Sequence, residues 1–418
     1  MNLKELYTLY CQHYLVDTDT RKIRKNTLYF ALKGENFNGN KFAEEALKKG
    51  AHYSIVDEKE YVTSSKIILV DDVLSTLQKL ASYHREIINV PIIGLTGSNG
   101  KTTTKELINS VLSTQYKTTA TLGNLNNHIG VPLTLLSMTP TTEIGIVEMG
   151  ANHPKEIAFL CTIATPDFGY ITNFGKAHLE GFGSIEGVIE AKSELYTYLK
   201  ENKKTVFVNH DDEIQVRKTT EMKTAFFDTS IALLEANPYV KVTIKNKVIS
   251  TNLIGAYNYS NISAAITIGT FFNIGPKNIK NSLERYIPTN NRSQIITTKN
   301  SNTLILDAYN ANPTSMKAAL DSFSMINSIH KIVILGDMFE LGSESEKEHQ
   351  FISDYCTELN FTNVLLVGKL FNKTTSNHLK FEVFDDLKKH VTKTKIKKHE
   401  LLIKGSRGMA LERITESL

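Results

Sequence analysis

Apolar positions along this chain come in short blocks that read as strands, separated by stretches in which apolar residues recur every three or four positions and read as helices. The first block, Thr27 to Leu32, predicts a strand. A Gly/Asn-rich turn from Gly34 to Asn40, a helix over 41–49 and a strand over 52–56 complete a strand-helix-strand unit. A helical stretch over 73–86 leads to Pro91, where Ile92-Ile93-Gly94-Leu95 opens a second series. It continues with a helix over 103–113, strands over 144–148 and 168–172, a helix over 185–199 and a strand over 205–208. A third series starts near residue 296, with strands over 303–307, 331–335, 363–367 and 401–404. Helices over 315–323, 344–356, 386–391 and 409–415 alternate with them. Such alternation predicts an α/β protein whose mostly parallel sheets are covered on both faces, with ligands at the carboxyl ends of the strands. The expected division is a small α/β module over 1–87, a central parallel-sheet domain over 88–295 and a Rossmann-like domain over 296–418.

Composition narrows the class. Of 418 residues, 41% are apolar and 22% charged, the balance of a folded chain. No apolar run reaches the roughly 18 residues that would span a bilayer, and Met1-Asn2-Leu3-Lys4-Glu5 lacks a secretory pattern, so a cytoplasmic protein without a membrane span is expected. Cys11, Cys161 and Cys356 lie far apart and read as reduced thiols. The net charge is +4, and the basic run over 388–398 has no interleaved aromatics to stack on bases; no nucleic-acid partner is expected. No zipper pattern appears, which points to a monomer.

Thr96-Gly97-Ser98-Asn99-Gly100-Lys101-Thr102-Thr103 lies between an apolar strand and a helix. Glycines turn backbone N–H groups onto phosphate oxygens, the helix N-terminus adds positive potential, Lys101 neutralises the β/γ phosphates and the Thr102 hydroxyl can hold Mg²⁺. The central domain is therefore expected to be a P-loop, ATPase-like unit. The full pattern has glycine at position 95; here Leu95 stands there, and Gly94 and Gly97 are expected to supply the freedom. Glu148 closes the strand Ile144-Gly145-Ile146-Val147, where an acid could hold the metal or simply be the first solvated residue. His178, in the loop after Thr172, and Lys192, in the following helix, would be unremarkable taken singly.

Together with these segments, several others carry a resemblance: Asp19-Thr20-Arg21-Lys22, Gly123-Asn124-Leu125-Asn126-Asn127-His128, Gly255-Ala256-Tyr257-Asn258-Tyr259-Ser260-Asn261 and Arg292-Ser293-Gln294. Asp307-Ala308-Tyr309-Asn310-Ala311-Asn312-Pro313, Leu335-Gly336-Asp337-Met338-Phe339-Glu340 and Lys404-Gly405-Ser406-Arg407-Gly408 complete the set. Over almost its whole length the chain resembles the Mur ligases, ATP-dependent enzymes that build the peptide of bacterial cell-wall precursors. The segments at 309–313 and 404–409 are similar to the branch that joins D-alanyl-D-alanine to UDP-N-acetylmuramoyl-tripeptide through an acyl phosphate and a tetrahedral intermediate. They argue against the ligase adding the third amino acid and against a folylpolyglutamate synthetase; a P-loop kinase, a regulatory ATPase and a non-catalytic nucleotide binder are the other rivals.

The resemblance implies ATP, two Mg²⁺ and a lysine carbamylated by CO₂. One Mg²⁺ would lie between the nucleotide, Thr102 and Glu148, and a second would be held by His178 and carbamylated Lys192. Residues 97–103 would bind the phosphates, Asn261 the adenine, Asp307 the ribose and Arg292 the γ-phosphate on domain closure. The catalytic set would be Lys101, His178, Lys192 and Arg292. Thr20 and Arg21 would belong to a uridine-nucleotide module, and Asn126 and Asn127 to a substrate loop. Tyr309, Asn310, Asn312, Lys404 and Arg407 would face the dipeptide. For Asn310 and Asn312 an Asx turn before Pro313 is an equal reading, and for Lys404 and Arg407 a cap on the strand-helix junction.

Overall fold

The computed structural model describes residues 1–418. Its first sheet is four parallel strands in the order Val16–Asp17, Leu28–Phe30, Tyr53–Val56, Ile67–Leu69. The second has six parallel strands, ordered Lys223–Phe226, Thr205–Val208, Phe168–Ile171, Ile92–Thr96, Ile144–Glu148, Thr118–Ala120. Its middle strands are buried on both faces, so they read as unbroken apolar runs. The order reverses beside Ile92–Thr96, and the crevice at a reversal is where such sheets take ligands.

The third sheet also has six strands, in the order Gln294–Thr297, Thr303–Asp307, Glu400–Lys404, Lys331–Gly336, Val364–Val367, Leu379–Phe381. All its pairings are parallel except the first, where Gln294–Thr297 runs antiparallel along Thr303–Asp307. That strand crosses the expected limit between 295 and 296.

The helix Val73–Ile88 joins the first sheet to the second. Asp72 caps it by accepting from the Ser75 N–H, and Asn89 ends it in the left-handed region (φ 41°). Val73, Leu77, Leu80, Ala81 and His84 form its buried stripe, packed on the helices Gly130–Leu135 and Glu156–Ala164. Burial of Leu77 and Leu80 contributes roughly 1.5–3 kcal/mol each. At its end the buried Arg85 pairs with Asp167 at 2.8 Å, and Asp167 also takes Lys204 at 2.7 Å.

The structure differs from the sequence expectation in several places: the helices Leu3–Tyr10, Glu156–Ala164, Asn258–Phe271 and Pro276–Arg285 lie where no element is predicted. An antiparallel sheet, Ile231–Ala236, Tyr239–Ile244 and Lys247–Ile254, occupies a stretch for which no element is predicted. The helix expected over 409–415 is two 3₁₀ segments, Arg407–Met409 and Leu411–Ser417, separated by Ala410 in the left-handed region. The helix expected over 41–49 is a 3₁₀ turn, Gly39–Phe42, followed by Ala43–Lys48. No helix is long and apolar enough to cross a membrane.

Candidate active site

A cavity of about 480 Å³ opens between the second and third sheets. On one wall lie Ser98 to Thr103, Asn126, Asn127, Glu148 and His178; on the other Arg292, Asp307, Tyr309, Asn310 and Lys404, with Asn261 beside the loop. Residues 97–102 form the turn from the strand Ile92–Thr96 into the helix Lys101–Leu112. The conformational freedom lies at Gly97 (φ 139°) and Gly100 (φ 79°), not at Gly94, which sits inside the strand. A side chain at Gly97 would strike the Thr172 hydroxyl, and one at Gly100 the Asn261 amide. Asn173 supports the loop, its Oδ1 accepting from the Asn99 N–H at 3.0 Å.

Lys101 donates to the carbonyls of Gly97 (2.6 Å) and Ser98 (3.2 Å). Burial lowers its pKa to about 8, against the pull of Glu148 and with the push of Arg292. The Thr102 hydroxyl donates to Glu148 at 2.9 Å, and the Asn126 amide donates to the other carboxylate oxygen at 2.8 Å. Glu148 is 1% exposed, with hydrogen bonds only from neutral side-chain donors. A buried carboxylate beside a hydroxyl, with no cation bonded to it, is a donor set that fits Mg²⁺.

A second ion fits less well. No group of three His, Cys, Asp or Glu side chains converges anywhere in the chain. His178 Nδ1 is held at 2.5 Å by Glu340, from the third sheet's side of the cavity. Lys192 is fully buried, donates to the Ala151 carbonyl at 3.0 Å and lies over the Phe182 ring. Desolvation, then repulsion from Lys101, lowers its pKa to about 7. An amine with its N–H groups turned to a carbonyl is no metal ligand as it stands.

Asn261 donates to Asn258 and accepts from the Thr104 hydroxyl, which fixes its amide beside Gly100. Arg292 sits between two left-handed residues, Asn291 (φ 55°) and Ser293 (φ 50°), and stacks 3.9 Å over the Tyr309 ring. Its Nε is buried without a partner. Lys404 spans from Asp307, at 2.5 Å, to the Asn310 carbonyl at 3.2 Å. Asn312 caps the helix Pro313–Ser324 and donates across the cavity mouth to Asn99 at 2.7 Å.

Gly97, Lys192, Asn312, Arg407, Thr20 and Arg21 are the expected residues outside the cavity lining. Arg407 is exposed, paired with Glu412 and 5.7 Å from the Tyr309 ring. Arg21 is exposed and clasped by Asp19; Thr20 gives its carbonyl to Lys49. Asn127 lines the cavity, but its side chain is used to cap the N–H groups of Ile129 and Gly130. Tyr257, Asn173 and Glu340 are site residues that sequence reasoning missed. Tyr257 bonds the Ser293 hydroxyl at 2.7 Å, tying the second sheet's helix to the bend that carries Arg292. All three stood within or beside quoted motifs, but their partners are 36 to 162 positions away.

Comparison with known proteins places this geometry. Family profiles described as Mur ligase family, catalytic domain, Mur ligase middle domain, and Mur ligase, glutamate ligase domain match residues 13–108, 95–269 and 291–407. The chain is 36% identical to the UDP-N-acetylmuramoyl-tripeptide–D-alanyl-D-alanine ligase of Bacillus subtilis, over 96% of this chain and 92% of that one. It is 32% identical to the Escherichia coli protein of the same name, over 96% and 93%. Among solved structures, MurF from Acinetobacter baumannii superposes with a TM-score of 0.84 at 29% identity, covering 96% and 92% of the two chains. MurF ligase from Thermotoga maritima, in complex with ADP, gives 0.82 at 27%, covering 96% of each. The chain belongs to the Mur ligase family.

Proposed function

We propose that the protein joins D-alanyl-D-alanine to UDP-N-acetylmuramoyl-tripeptide with the cleavage of ATP, giving the UDP-linked pentapeptide of the peptidoglycan precursor. The observation that carries this reading is the single cavity in which the phosphate loop faces Tyr309, Asn310 and Lys404. The names of the full-length relatives supply the substrates.

A carboxylate is a poor electrophile and repels the nucleotide. Transfer of the γ-phosphoryl group to a carboxylate oxygen breaks the bond to ADP and leaves an acyl phosphate. The dipeptide amine attacks its carbonyl carbon, a tetrahedral intermediate forms, and phosphate departs as the amide is made. The protein's part in such a transfer is positioning and charge stabilisation. Lys101 and Arg292 bring the cations, Asn261 and Asp307 hold adenine and ribose, and the ties across the cavity exclude water from the acyl phosphate. Thr102 and Glu148 would hold a Mg²⁺, which supplies Lewis-acid neutralisation of the phosphate charge.

Lys192 is a candidate for carbamylation. With its pKa near 7 it keeps a neutral amine, the form that adds to CO₂ with loss of a proton, and the product would offer an anionic oxygen where the amine now offers only N–H groups. Thr20 and Arg21 are assigned to the uridine nucleotide, Asn126 and Asn127 to the muramoyl peptide, and Tyr309, Asn310, Asn312, Lys404 and Arg407 to the dipeptide. Units over 1–87, 88–295 and 296–418 would carry these three tasks, in a monomer acting in the cytoplasm.

The test is phosphate release from ATP with the UDP-tripeptide, with and without D-alanyl-D-alanine, with the product weighed by mass spectrometry. Release that needs both substrates and yields the pentapeptide is expected. Release without the dipeptide, or only with another amine, overturns the reading. For the carbamate, a ¹³C-bicarbonate signal lost in Lys192→Ala is expected; an active, bicarbonate-insensitive Lys192→Ala enzyme excludes it.

A further inference from the structure

The loop after the strand Phe168–Ile171 crosses the cavity mouth and is fastened to the third sheet's side. The Lys176 N–H donates to the Thr314 hydroxyl at 3.0 Å, and its ammonium pairs with the buried Glu348 at 2.6 Å. His178 Nδ1 meets the Glu340 carboxylate at 2.5 Å, and the Glu180 N–H donates to the Glu340 carbonyl at 3.2 Å. Glu340 thus grips the loop with both backbone and side chain.

The conformation that allows this grip is an unusual one. Glu340 lies in the left-handed region (φ 62°), which a glutamate adopts only when its surroundings impose it. Those surroundings are visible. The Asp337 carboxylate accepts the N–H groups of Leu370 and Phe371, and its carbonyl accepts that of Ser406. The Phe339 N–H donates to the Ser406 hydroxyl at 2.9 Å. The turn bearing Glu340 is therefore built against Ser406, next to Arg407.

We propose that Glu340 is a positioning residue for the ligation: carried on one side of the cavity, it holds the Nδ1 side of His178, carried on the other, and so fixes how the imidazole faces the cavity. Nε2 is then left without a protein partner, on a side chain that lines the cavity. The contact bridges the two sides of the cavity, so the placing of His178 depends on their standing against each other as they do in this ligand-free structure. This rests on the ligase reading above, and it deepens that reading by naming the residue that places the histidine.

The test is made on Glu340→Ala and Glu340→Gln, with thermal melting to confirm that each is folded. A glutamine oxygen can still accept from Nδ1–H, so Glu340→Gln is expected to keep more activity than Glu340→Ala, whose kcat should fall about tenfold or more with KM for ATP nearly unchanged. Independently of any substrate, ¹⁵N-histidine spectra of the ligand-free protein should show His178, assigned by its loss in His178→Gln, with a proton on Nδ1 held in a strong hydrogen bond in wild type. In Glu340→Ala that hydrogen-bonded Nδ1–H signal should be lost. Wild-type kcat in Glu340→Ala, or a His178 spectrum that the substitution leaves unchanged, overturns the proposal. If the wild type itself fails to join the two substrates, the ligase reading falls while the spectra still report on the contact.

Discussion

The two walls of the cavity treat charge in opposite ways. On the phosphate wall Glu148 is buried with only neutral partners, and Lys101 lies over carbonyls of its own loop. On the facing wall, Arg292 apart, the charges are already matched, Lys404 with Asp307 and, farther out, Arg407 with Glu412. An unpaired buried charge is costly until a ligand arrives, which is what a site for a metal nucleotide needs. A matched pair costs little at rest, but its members must let go of each other, or shift together, to bind a dipeptide. The first wall is built to attract, and the second to be rearranged.

The contrast breaks most sharply at Lys101. Lys101→Ala should reduce ADP formation by roughly 10³-fold, since it removes a fixed cation from the transferring phosphate, with little change in melting temperature. Steady-state kinetics beside a thermal melt check both halves; a large loss of stability would show that Lys101 is a structural member of the loop.

On the facing wall the balance reverses, and stability is what moves. Lys404→Met leaves Asp307 with no cation in a largely buried position, a loss of roughly 3–5 kcal/mol. Adding Asp307→Asn should recover most of it. Urea unfolding of the two single variants and the double variant reads the coupling directly, and additive losses would mean that the pair contributes nothing as a pair.

Lys192 belongs to neither wall, and its burial sets a pH dependence. Its pKa falls from 10.5 unfolded to about 7 folded, so between those values the unfolded chain holds a proton that the folded one resists. Its penalty on stability therefore grows as pH drops from 10.5 and is complete below about 7. Lys192→Met should abolish activity yet raise stability by a few kcal/mol at pH 7, and the gain should shrink as pH approaches 10.5. Denaturant unfolding of both proteins at several pH values checks the sign. A gain that narrows when bicarbonate is added to the wild type would mark carbamylation of this lysine.

These charges also show what a sequence can disclose. The loop at 97–102 is legible because its chemistry is local: a strand, two glycines in the left-handed half of conformational space, a lysine and a threonine stand side by side. The alternation of strands and helices is legible for the same reason, each buried run carrying its own period. The sheet over 231–254 is not, because strands such as Ile231–Ala236 are mostly exposed and bury too few positions to leave a clear alternation. Pairings made across the fold are equally silent. His178 with Glu340 joins loops of the second and third sheets, Lys404 with Asp307 joins neighbouring strand ends 97 positions apart in sequence, Arg292 on Tyr309 joins two bends, and the fate of Lys192 depends on a helix face being inside.

Asn312 sharpens the comparison at the smallest scale, because it serves both walls at once. Its Oδ1 caps the helix Pro313–Ser324 by accepting from the Ser315 N–H, and its Nδ2 reaches Asn99 in the phosphate loop. Asn312→Ala loses the cap and the bridge together, with a stability loss of about 1 kcal/mol. Asn312→Ser keeps a good cap but is too short to reach Asn99, so its stability should stay close to wild type. If the bridge helps to close the cavity, the serine variant should still show a raised KM for the dipeptide, by about threefold, worth roughly 0.7 kcal/mol. Equal kinetics in Asn312→Ser and wild type, beside a destabilised Asn312→Ala, would reduce Asn312 to a helix cap and leave closure to the contacts of Lys176 and His178.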